Sequence, residues 1–153
     1  LVVGKSWFGE ENVKDEYTCK VQKEAEKVRN KIIFTGFVNP DKMPLMYQIA
    51  DCLVVPSIWE EPFGVVALEG MASGLPLIVT NSGGLPEIVN DKCAVIVNKE
   101  KDIVNNLTDE MNKMMINEAK AKKMGECARE TVQSNLEYDS RNYFGLFLKK
   151  TIG

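Results

Sequence analysis

The chain has 153 residues, of which 44% are apolar and 27% are charged, and its formal net charge is −3. This length and composition are those of one globular domain and exclude the disordered and fibrous classes. The negative balance argues against general nucleic-acid binding, which needs a clustered basic surface.

The absence of histidine removes whole classes of chemistry. Histidine-based catalytic triads and zinc sites built on imidazole are excluded. No apolar run approaches the ~18 residues of a membrane-spanning helix, and the N-terminus is unlike a secretory signal. No Cys-x-x-Cys pair occurs, so four reduced thiols and a cytoplasmic location are expected, with Cys52 in the core. The cysteines are Cys19, Cys52, Cys93 and Cys127.

Short apolar runs alternate with segments of helical periodicity along the first two thirds of the chain. Asp41 is the predicted N-cap of the second helix, and the run 52–56 is typical of a strand covered on both faces. In chain order the prediction is buried strand 1–4, helix 12–30, strand 31–36, helix 41–50, strand 52–56, helix 64–73, strand 75–80, a turn at 83–86 with a short helical stretch near residue 87, and strand 94–97. Helices 101–117, 118–135 and 138–150 follow.

This alternation predicts an α/β fold, with a Rossmann-like parallel sheet, helices on both faces and a helical C-terminal tail. In such sheets ligands bind at the carboxyl ends of the strands. The loops expected to form a site are therefore 4–9, 36–41, 57–64 and 81–86.

The segment 56–76 carries two glutamates, Glu61 and Glu69, which flank seven residues. If a helix begins near Gly64, its first amides lack intrahelical partners and, at the positive end of the helix dipole, can bind a diphosphate. Glu69 then lies about 7.5 Å along the axis, where its carboxylate can accept hydrogen bonds from two ribose hydroxyls. Glu61, before the helix, can accept from a sugar on the second phosphate, so the predicted ligand is a nucleotide-sugar.

A purely structural interpretation of the same residues stays open at this point. Glu69 could be an exposed helix residue. Glu61 could be a loop residue near the positive helix end, where such a charge stabilises the helix by about 0.5 kcal/mol.

Several motifs together carry a family pattern. They are Pro56-Ser57, Glu61-Pro62-Phe63-Gly64, Glu69-Gly70-Met71-Ala72-Ser73-Gly74-Leu75-Pro76 and Gly83-Gly84-Leu85-Pro86-Glu87-Ile88-Val89, with Ile33-Phe34-Thr35-Gly36-Phe37-Val38 and Tyr47-Gln48-Ile49-Ala50-Asp51 upstream. They closely resemble the C-terminal, donor-binding half of retaining glycosyltransferases with the GT-B fold, family 4 (glycosyl transferases group 1). The resemblance is specific between residues 32 and 90.

The resemblance implies a role for each matching residue. Glu61 corresponds to the first glutamate of the family's Glu-x7-Glu motif, which contacts the donor sugar and is the candidate catalytic residue. Glu69 corresponds to the second, which holds the ribose. The backbone of Phe63, Gly64 and Val65 is expected to face the distal phosphate and the sugar.

Three further residues have two open interpretations each. Phe37 falls where the family binds the base, but it could equally be a buried aromatic residue at a strand end. Gly83 and Gly84 could shape the floor of the pocket, although a simple turn is the stronger expectation.

The family's basic loop after its first strand has no counterpart, because residues 1–4 match the family's second strand. We therefore expect 1–153 to be a single, truncated nucleotide-sugar-binding domain, without the first strand–helix unit and the N-terminal acceptor domain. Since the missing strand is central, its removal should leave the sheet split, so we expect either that upstream residues exist or that another segment fills the gap. Direct pairing of residues 1–4 with 52–56 would contradict this. The isolated chain is expected to be inactive.

The resemblance also implies the substrates of the whole protein. The donor is expected to be a nucleotide-sugar, UDP being the commonest carrier, with no metal and no other cofactor. The acceptor would be a saccharide or a lipid-linked molecule, as in cell-surface polysaccharide or lipopolysaccharide synthesis, with peripheral membrane association of the full-length protein. The alternative is a non-catalytic nucleotide- or sugar-binding regulatory module. An epimerase of similar fold is disfavoured, because those enzymes rely on histidine.

Overall fold

A computed structural model describes residues 1–4, 16–28 and 31–135 of the chain. The chain divides into two compact units, Leu1–Met43 and Pro44–Gly153. The helix predicted at 138–150 lies outside the described residues. No helix in the described ranges is long and apolar enough to cross a membrane.

The first unit contains a two-stranded parallel sheet and one helix. Strand β1 (Val2–Val3) pairs with β2 (Phe34–Gly36), and helix α1 (Glu16–Glu26) lies between them in the chain. The prediction that residues 1–4 are a buried strand is wrong, since all four are exposed. Among the described strands β1 has β2 as its single neighbour, so its apolar side chains are not enclosed from both sides.

The predicted helix 41–50 begins differently from expectation. A 3₁₀ turn (Pro40–Lys42) precedes helix α2 (Met43–Gln48). The N-cap of the turn is Asn39 rather than Asp41, because the Asn39 side chain accepts a hydrogen bond from the Asp41 amide at 3.0 Å. Pro40 follows directly at the first position of the turn, where its missing N–H is not needed.

The second unit is built on three parallel strands in the order β3 (Leu53–Val55), β4 (Leu77–Thr80) and β5 (Ala94–Val97). Leu77 of β4 is paired with Leu53 on one side and with Ala94 on the other. All four residues of β4 are buried, whereas Leu53 and Val54 are half-buried. The prediction that 52–56 is covered on both faces is therefore wrong, because β3 is the edge strand of this sheet.

The helices of the second unit cover the sheet. They are α3 (Val65–Ala72), α4 (Leu85–Ile88), α5 (Ile103–Ile116) and α6 (Glu118–Asn135). Helix α3 packs on β3, β4 and α6, and α5 packs on β4 and β5. At Gly125 of α6 a Cβ would collide with the carbonyl oxygen of Gly74, so this glycine lets α6 approach the end of α3 closely. Arg129 fastens the same contact, since its guanidinium donates to the carbonyl oxygens of Ala72 and Ser73.

The expected α/β architecture is confirmed, with parallel strands and helices on both sides. The strands of the described residues form two separate sheets, and the expectation that upstream residues exist or that another segment fills the gap stays a prediction. In the described ranges β1 and β2 form one sheet and β3, β4 and β5 another, and residues 1–4 are not paired with 52–56.

All four cysteines are free thiols. Cys93 is buried, whereas Cys52 is half-buried and not fully in the core as predicted. Burial, and secondly the negative charge of Asp51, raise the pKa of the Cys52 thiol to about 11.

Candidate functional site

The carboxyl ends of β3, β4 and β5 bring a set of polar residues to one edge of the sheet. Ser57 follows β3, and Thr80 and Ser82 lie at and beyond the end of β4. All three are buried. Lys99 follows β5. Because the strands are parallel and in register, these ends meet, and the loops 57–64 and 81–86 contact each other. Of the other two loops expected to form the site, 36–41 belongs to the first unit and 4–9 lies outside the described residues from residue 5 onward.

Hydroxyl groups at the end of β4 hold the backbone of the loop 57–64. The Thr80 hydroxyl donates to the carbonyl oxygen of Ser57 at 2.6 Å. The Ser82 hydroxyl donates to the carbonyl oxygen of Trp59. The loop is therefore attached to the last residue of a fully buried strand and to a buried serine two residues beyond it.

The glycine turn fixes the next part of the loop. The Gly84 amide donates to the carbonyl oxygen of Glu61 at 2.7 Å. Gly83 has a φ of +50°, and a Cβ there would meet the Glu61 backbone closer than the 3.0 Å limit of real contacts. At Gly84 a Cβ would lie 3.0 Å from the Pro62 carbonyl oxygen. The expected turn is present, and both glycines also let it pack directly on the Glu61 loop.

Glu60 joins the loop to both neighbouring strand ends. Its carboxylate pairs with the Lys99 ammonium at 2.5 Å and accepts from the Gly83 amide at 2.9 Å. Lys99 also donates to the Ser82 hydroxyl at 3.3 Å. The hydrogen bond from Lys99, then the Gly83 amide and the Lys99 charge, lower the pKa of Glu60. Sequence reasoning missed this pair. The sequence feature that could have indicated it is the acidic pair Glu60–Glu61 in the loop after β3.

Glu61 is half-buried on this loop. One of its carboxylate oxygens, Oε2, accepts from the Ser57 hydroxyl at 3.3 Å and from the Trp59 indole N–H at 3.2 Å. Neither partner was predicted. A carboxylate held in this way is an acceptor in a defined orientation at the carboxyl edge of the sheet.

Helix α3 begins immediately after this loop, at Val65. Within the described residues the amides of Gly64, Val65 and Val66 donate to no backbone carbonyl, and the first bond of the helix runs from Ala67 to the Gly64 carbonyl at 2.9 Å. The Phe63, Val65 and Val66 side chains are exposed. The predicted set of unpaired amides at the positive helix end is therefore present.

Gly64 is required for a reason other than the one expected from the sequence. Its φ is +82°, and a Cβ would lie 2.6 Å from Leu85 Cδ2 and 3.2 Å from Ile88 Cδ1. Both contacts are with α4, so the glycine is required by the turn and by packing. The reason expected from the sequence is the space that a phosphate needs.

Glu69 lies in the second turn of α3 and is 6% exposed. The interpretation of Glu69 as an exposed helix residue is therefore wrong. The Tyr47 hydroxyl of α2, itself buried, donates to Glu69 Oε2 at 2.9 Å. A buried carboxylate requires such partners, because leaving it unbonded would be strongly unfavourable. Tyr47 lies in a motif noted in the sequence, but its contact with Glu69 was not predicted.

Phe37 lies in the first unit, directly after β2, and its side chain is 67% exposed. The alternative of a buried aromatic residue at a strand end is therefore wrong. Its role in base binding stays a prediction.

A hollow in the second unit is lined by residues of α3, α4 and α6 and by Phe63. It has a volume of about 200 Å³ and is lined mainly by apolar side chains. Phe63 is the one residue that it shares with the predicted phosphate and sugar site. Its lining is unsuited to a diphosphate, since the charged residue in it is a glutamate. The lining residues are Phe63, Leu68, Met71, Glu87, Ile88, Thr131 and Val132.

No group of three or more metal-ligating Cys, Asp or Glu side chains occurs in the part of the chain that the structure describes. The polar groups of the sheet edge are instead hydroxyls, amides, two glutamates and a lysine. This set is suited to hydrogen bonding with a ligand that carries hydroxyls and anionic oxygens.

Comparison with known proteins places the chain in a family. A family model described as "Glycosyl transferases group 1" matches residues 1–131. A lipopolysaccharide 1,2-N-acetylglucosaminetransferase of Salmonella typhimurium is 31% identical over 94% of this chain and 40% of its own length. The solved sucrose-phosphate synthase of Thermosynechococcus elongatus is 28% identical, with a TM-score of 0.71 over 87% of this chain and 32% of its own.

A second solved structure shares the fold. The Anabaena protein Alr3699/HepE, in complex with UDP and glucose, has a TM-score of 0.76 over 98% of this chain and 37% of its own, at 20% identity. The chain thus spans about two fifths or less of the length of these proteins. With the family model matched over most of the sequence, the chain belongs to the glycosyl transferases group 1 family.

Proposed function

We propose that residues 1–153 are the donor-binding domain of a retaining glycosyltransferase of family 4. The whole protein would transfer a hexosyl group from a nucleoside diphosphate to a saccharide or lipid-linked acceptor. The observation that carries the proposal is the start of α3, where unpaired amides follow directly after a loop that presents the Glu61 carboxylate.

Each part of the site has a role in this proposal. The amides of Gly64 and Val65, with the backbone of Phe63, bind the distal phosphate, because helix N-termini favour anions. Glu61 accepts hydrogen bonds from the hydroxyls of the donor sugar and is the proposed catalytic residue. Glu69 holds the ribose.

Phe37 is the proposed contact of the base. Its exposed ring after β2 supports this assignment, since an aromatic face offers a stacking surface.

The proposed reaction breaks the bond between the sugar C1 and the diphosphate oxygen and forms a bond from C1 to the acceptor oxygen on the same face. The acceptor proton moves to the departing diphosphate. The helix amides stabilise the charge that develops there, because preorganised dipoles aimed at a leaving group lower the barrier. We propose a metal-independent step on this basis.

UDP is the proposed carrier, in line with the UDP complex of the HepE protein. The name of the Salmonella relative suggests synthesis of a cell-surface saccharide. We propose that residues outside this chain bind the acceptor, and that the 153-residue chain alone has no transferase activity. The cytoplasmic location and the peripheral membrane association remain predictions.

Calorimetric titration of the full-length protein with UDP-, GDP- and ADP-sugars tests the proposal. Glu61→Ala should weaken binding of the nucleotide-sugar but not of the free nucleotide. Glu69→Ala should weaken both, since it removes the ribose acceptor. A hydrogen bond to a charged group is worth about 1.5–3 kcal/mol, which corresponds to about ten- to hundredfold in affinity.

The control is Glu87→Ala, which removes an exposed carboxylate from the neighbouring helix α4. It should leave both affinities unchanged. Absence of nucleotide-sugar binding, or equal effects of all three substitutions, would contradict the proposal. Binding without transfer to any acceptor would instead favour a regulatory module.

A further inference from the structure

The two donors to Glu61 converge on a single carboxylate oxygen. The Ser57 hydroxyl and the Trp59 indole N–H both bond Oε2, at 3.3 Å and 3.2 Å. Within the described residues no hydrogen-bond donor lies on the other oxygen, Oε1. A carboxylate oxygen offers about two acceptor positions, so the two donors occupy one oxygen and leave the other for a ligand.

Both donors are themselves fixed by the buried end of β4. The Thr80 hydroxyl bonds the backbone carbonyl of Ser57, and the Ser82 hydroxyl bonds that of Trp59. Neither hydroxyl-bearing residue has any exposed surface. Glu61 lies on a loop, but the backbone of both of its donors is hydrogen-bonded to buried residues at or just beyond the end of β4.

Trp59 is otherwise without an evident structural role. Its side chain is 63% exposed, as is that of its neighbour Ile58 at 69%. A tryptophan contributes to stability mainly through burial, which is largely absent here. The bond from its indole N–H to Glu61 is the specific contact that accounts for it.

We propose that Ser57 and Trp59 are positioning residues, which hold the Glu61 carboxylate so that Oε1 faces the donor sugar. This inference rests on the proposed function, in which Glu61 binds the hydroxyls of that sugar. Without the two donors the carboxylate samples other rotamers, and the fraction of molecules ready to bind the sugar falls.

The test is a double-mutant cycle in the full-length protein, read by calorimetry with UDP-glucose and with UDP. Trp59→Phe keeps an aromatic ring and removes the N–H donor. We expect it to raise the dissociation constant of UDP-glucose by about fivefold and to leave that of UDP unchanged. In a protein that already carries Glu61→Ala, the same substitution should have no further effect, because its action runs through Glu61.

Two further variants keep the test decisive. Ser57→Ala removes the other donor and should give the same pattern as Trp59→Phe, which covers the case in which one variant folds poorly. Ile58→Val is the matched control, because it shortens the exposed neighbouring side chain, which makes no hydrogen bond to Glu61. It should change neither dissociation constant.

The outcomes separate this inference from the proposed function. If Glu61→Ala leaves UDP-glucose binding intact, the proposed role of Glu61 is wrong. If Glu61→Ala weakens it but Trp59→Phe and Ser57→Ala do not, the positioning role alone is wrong. The positioning role would also be wrong if Trp59→Phe weakened UDP and UDP-glucose binding equally. It would be wrong as well if Trp59→Phe weakened UDP-glucose binding as much in the Glu61→Ala protein as in the wild type.

Discussion

Replacement of Gly83 by alanine should displace the loop that carries Glu61. Gly83 has a φ of +50°, a region that costs an L-residue about 1–2 kcal/mol. A Cβ there would lie 2.5 Å from the Glu61 amide nitrogen, whereas ordinary contact begins at 3.4 Å. The two segments would have to separate by at least about 0.9 Å, the difference between these distances, because the Cβ would lie closer still to the Glu61 carbonyl oxygen.

That displacement has two consequences. The hydrogen bond from the Gly84 amide to the Glu61 carbonyl oxygen, 2.7 Å long, would lengthen to about 3.6 Å or more and be lost. The overpacking costs about 1–3 kcal/mol. Added to the cost of the positive φ, it should lower the free energy of unfolding of the variant by about 2–5 kcal/mol. A misplacement of about 1 Å in a reacting site lowers the rate by up to about 10²-fold.

Urea denaturation and turnover of the nucleotide-sugar by the full-length protein measure both effects. Gly74→Ala is the matched control for the strained φ, since its φ is +79° but its Cβ would meet the Arg129 side chain at 3.1 Å and not the backbone of the Glu61 loop. We expect this variant to lose about 1–2 kcal/mol and to keep its turnover. Equal stabilities and equal turnover in the two variants would refute the reasoning.

Two other predictions concern single contacts. Tyr47→Phe removes the hydroxyl that donates to the buried Glu69 and should lower the free energy of unfolding by about 1–3 kcal/mol. Tyr17→Phe is the control, because that side chain is 75% exposed, and it should leave the free energy of unfolding unchanged. Equal urea midpoints of the two variants would contradict this prediction. Glu60→Gln should lower the melting temperature at pH 7 and low salt, because it breaks the ion pair with Lys99.

The pH dependence of the Glu60 effect follows from the direction of its shift. The pKa of Glu60 is lowered in the folded protein, so the pair stabilises it above the ordinary glutamate value of 4.5. This stabilisation is lost as the pH falls through the lowered pKa. The difference in melting temperature between wild type and Glu60→Gln should therefore close in acid and shrink in high salt. A difference that does not diminish as the pH is lowered from 7 to below 4.5 would contradict the assignment.

The elements of the second unit were predictable because their signals are local. Strand β5 and helix α6 match the predicted 94–97 and 118–135, and α3 and β4 lie within one or two residues of expectation. Apolar runs and helical periodicity depend on neighbouring residues alone, so they can be interpreted without knowing the fold. The glutamate pair was likewise visible in one segment, and the family resemblance supplied its interpretation.

The contacts between residues far apart in the sequence depended on the tertiary structure. Tyr47 and Glu69 are 22 residues apart, and Glu60 and Lys99 are 39 apart. Only the packing of parallel strands and their helices brings such residues together, and no periodicity in the sequence encodes which pairs will meet. The same holds for the partial exposure of β3, since the order of strands in the sheet determines which strand is enclosed. The sequence by itself determined the elements and placed both donors of Glu61 within four residues of it. Tertiary packing decided the distant partners, such as Tyr47 for Glu69, because only the folded chain brings them within hydrogen-bond distance.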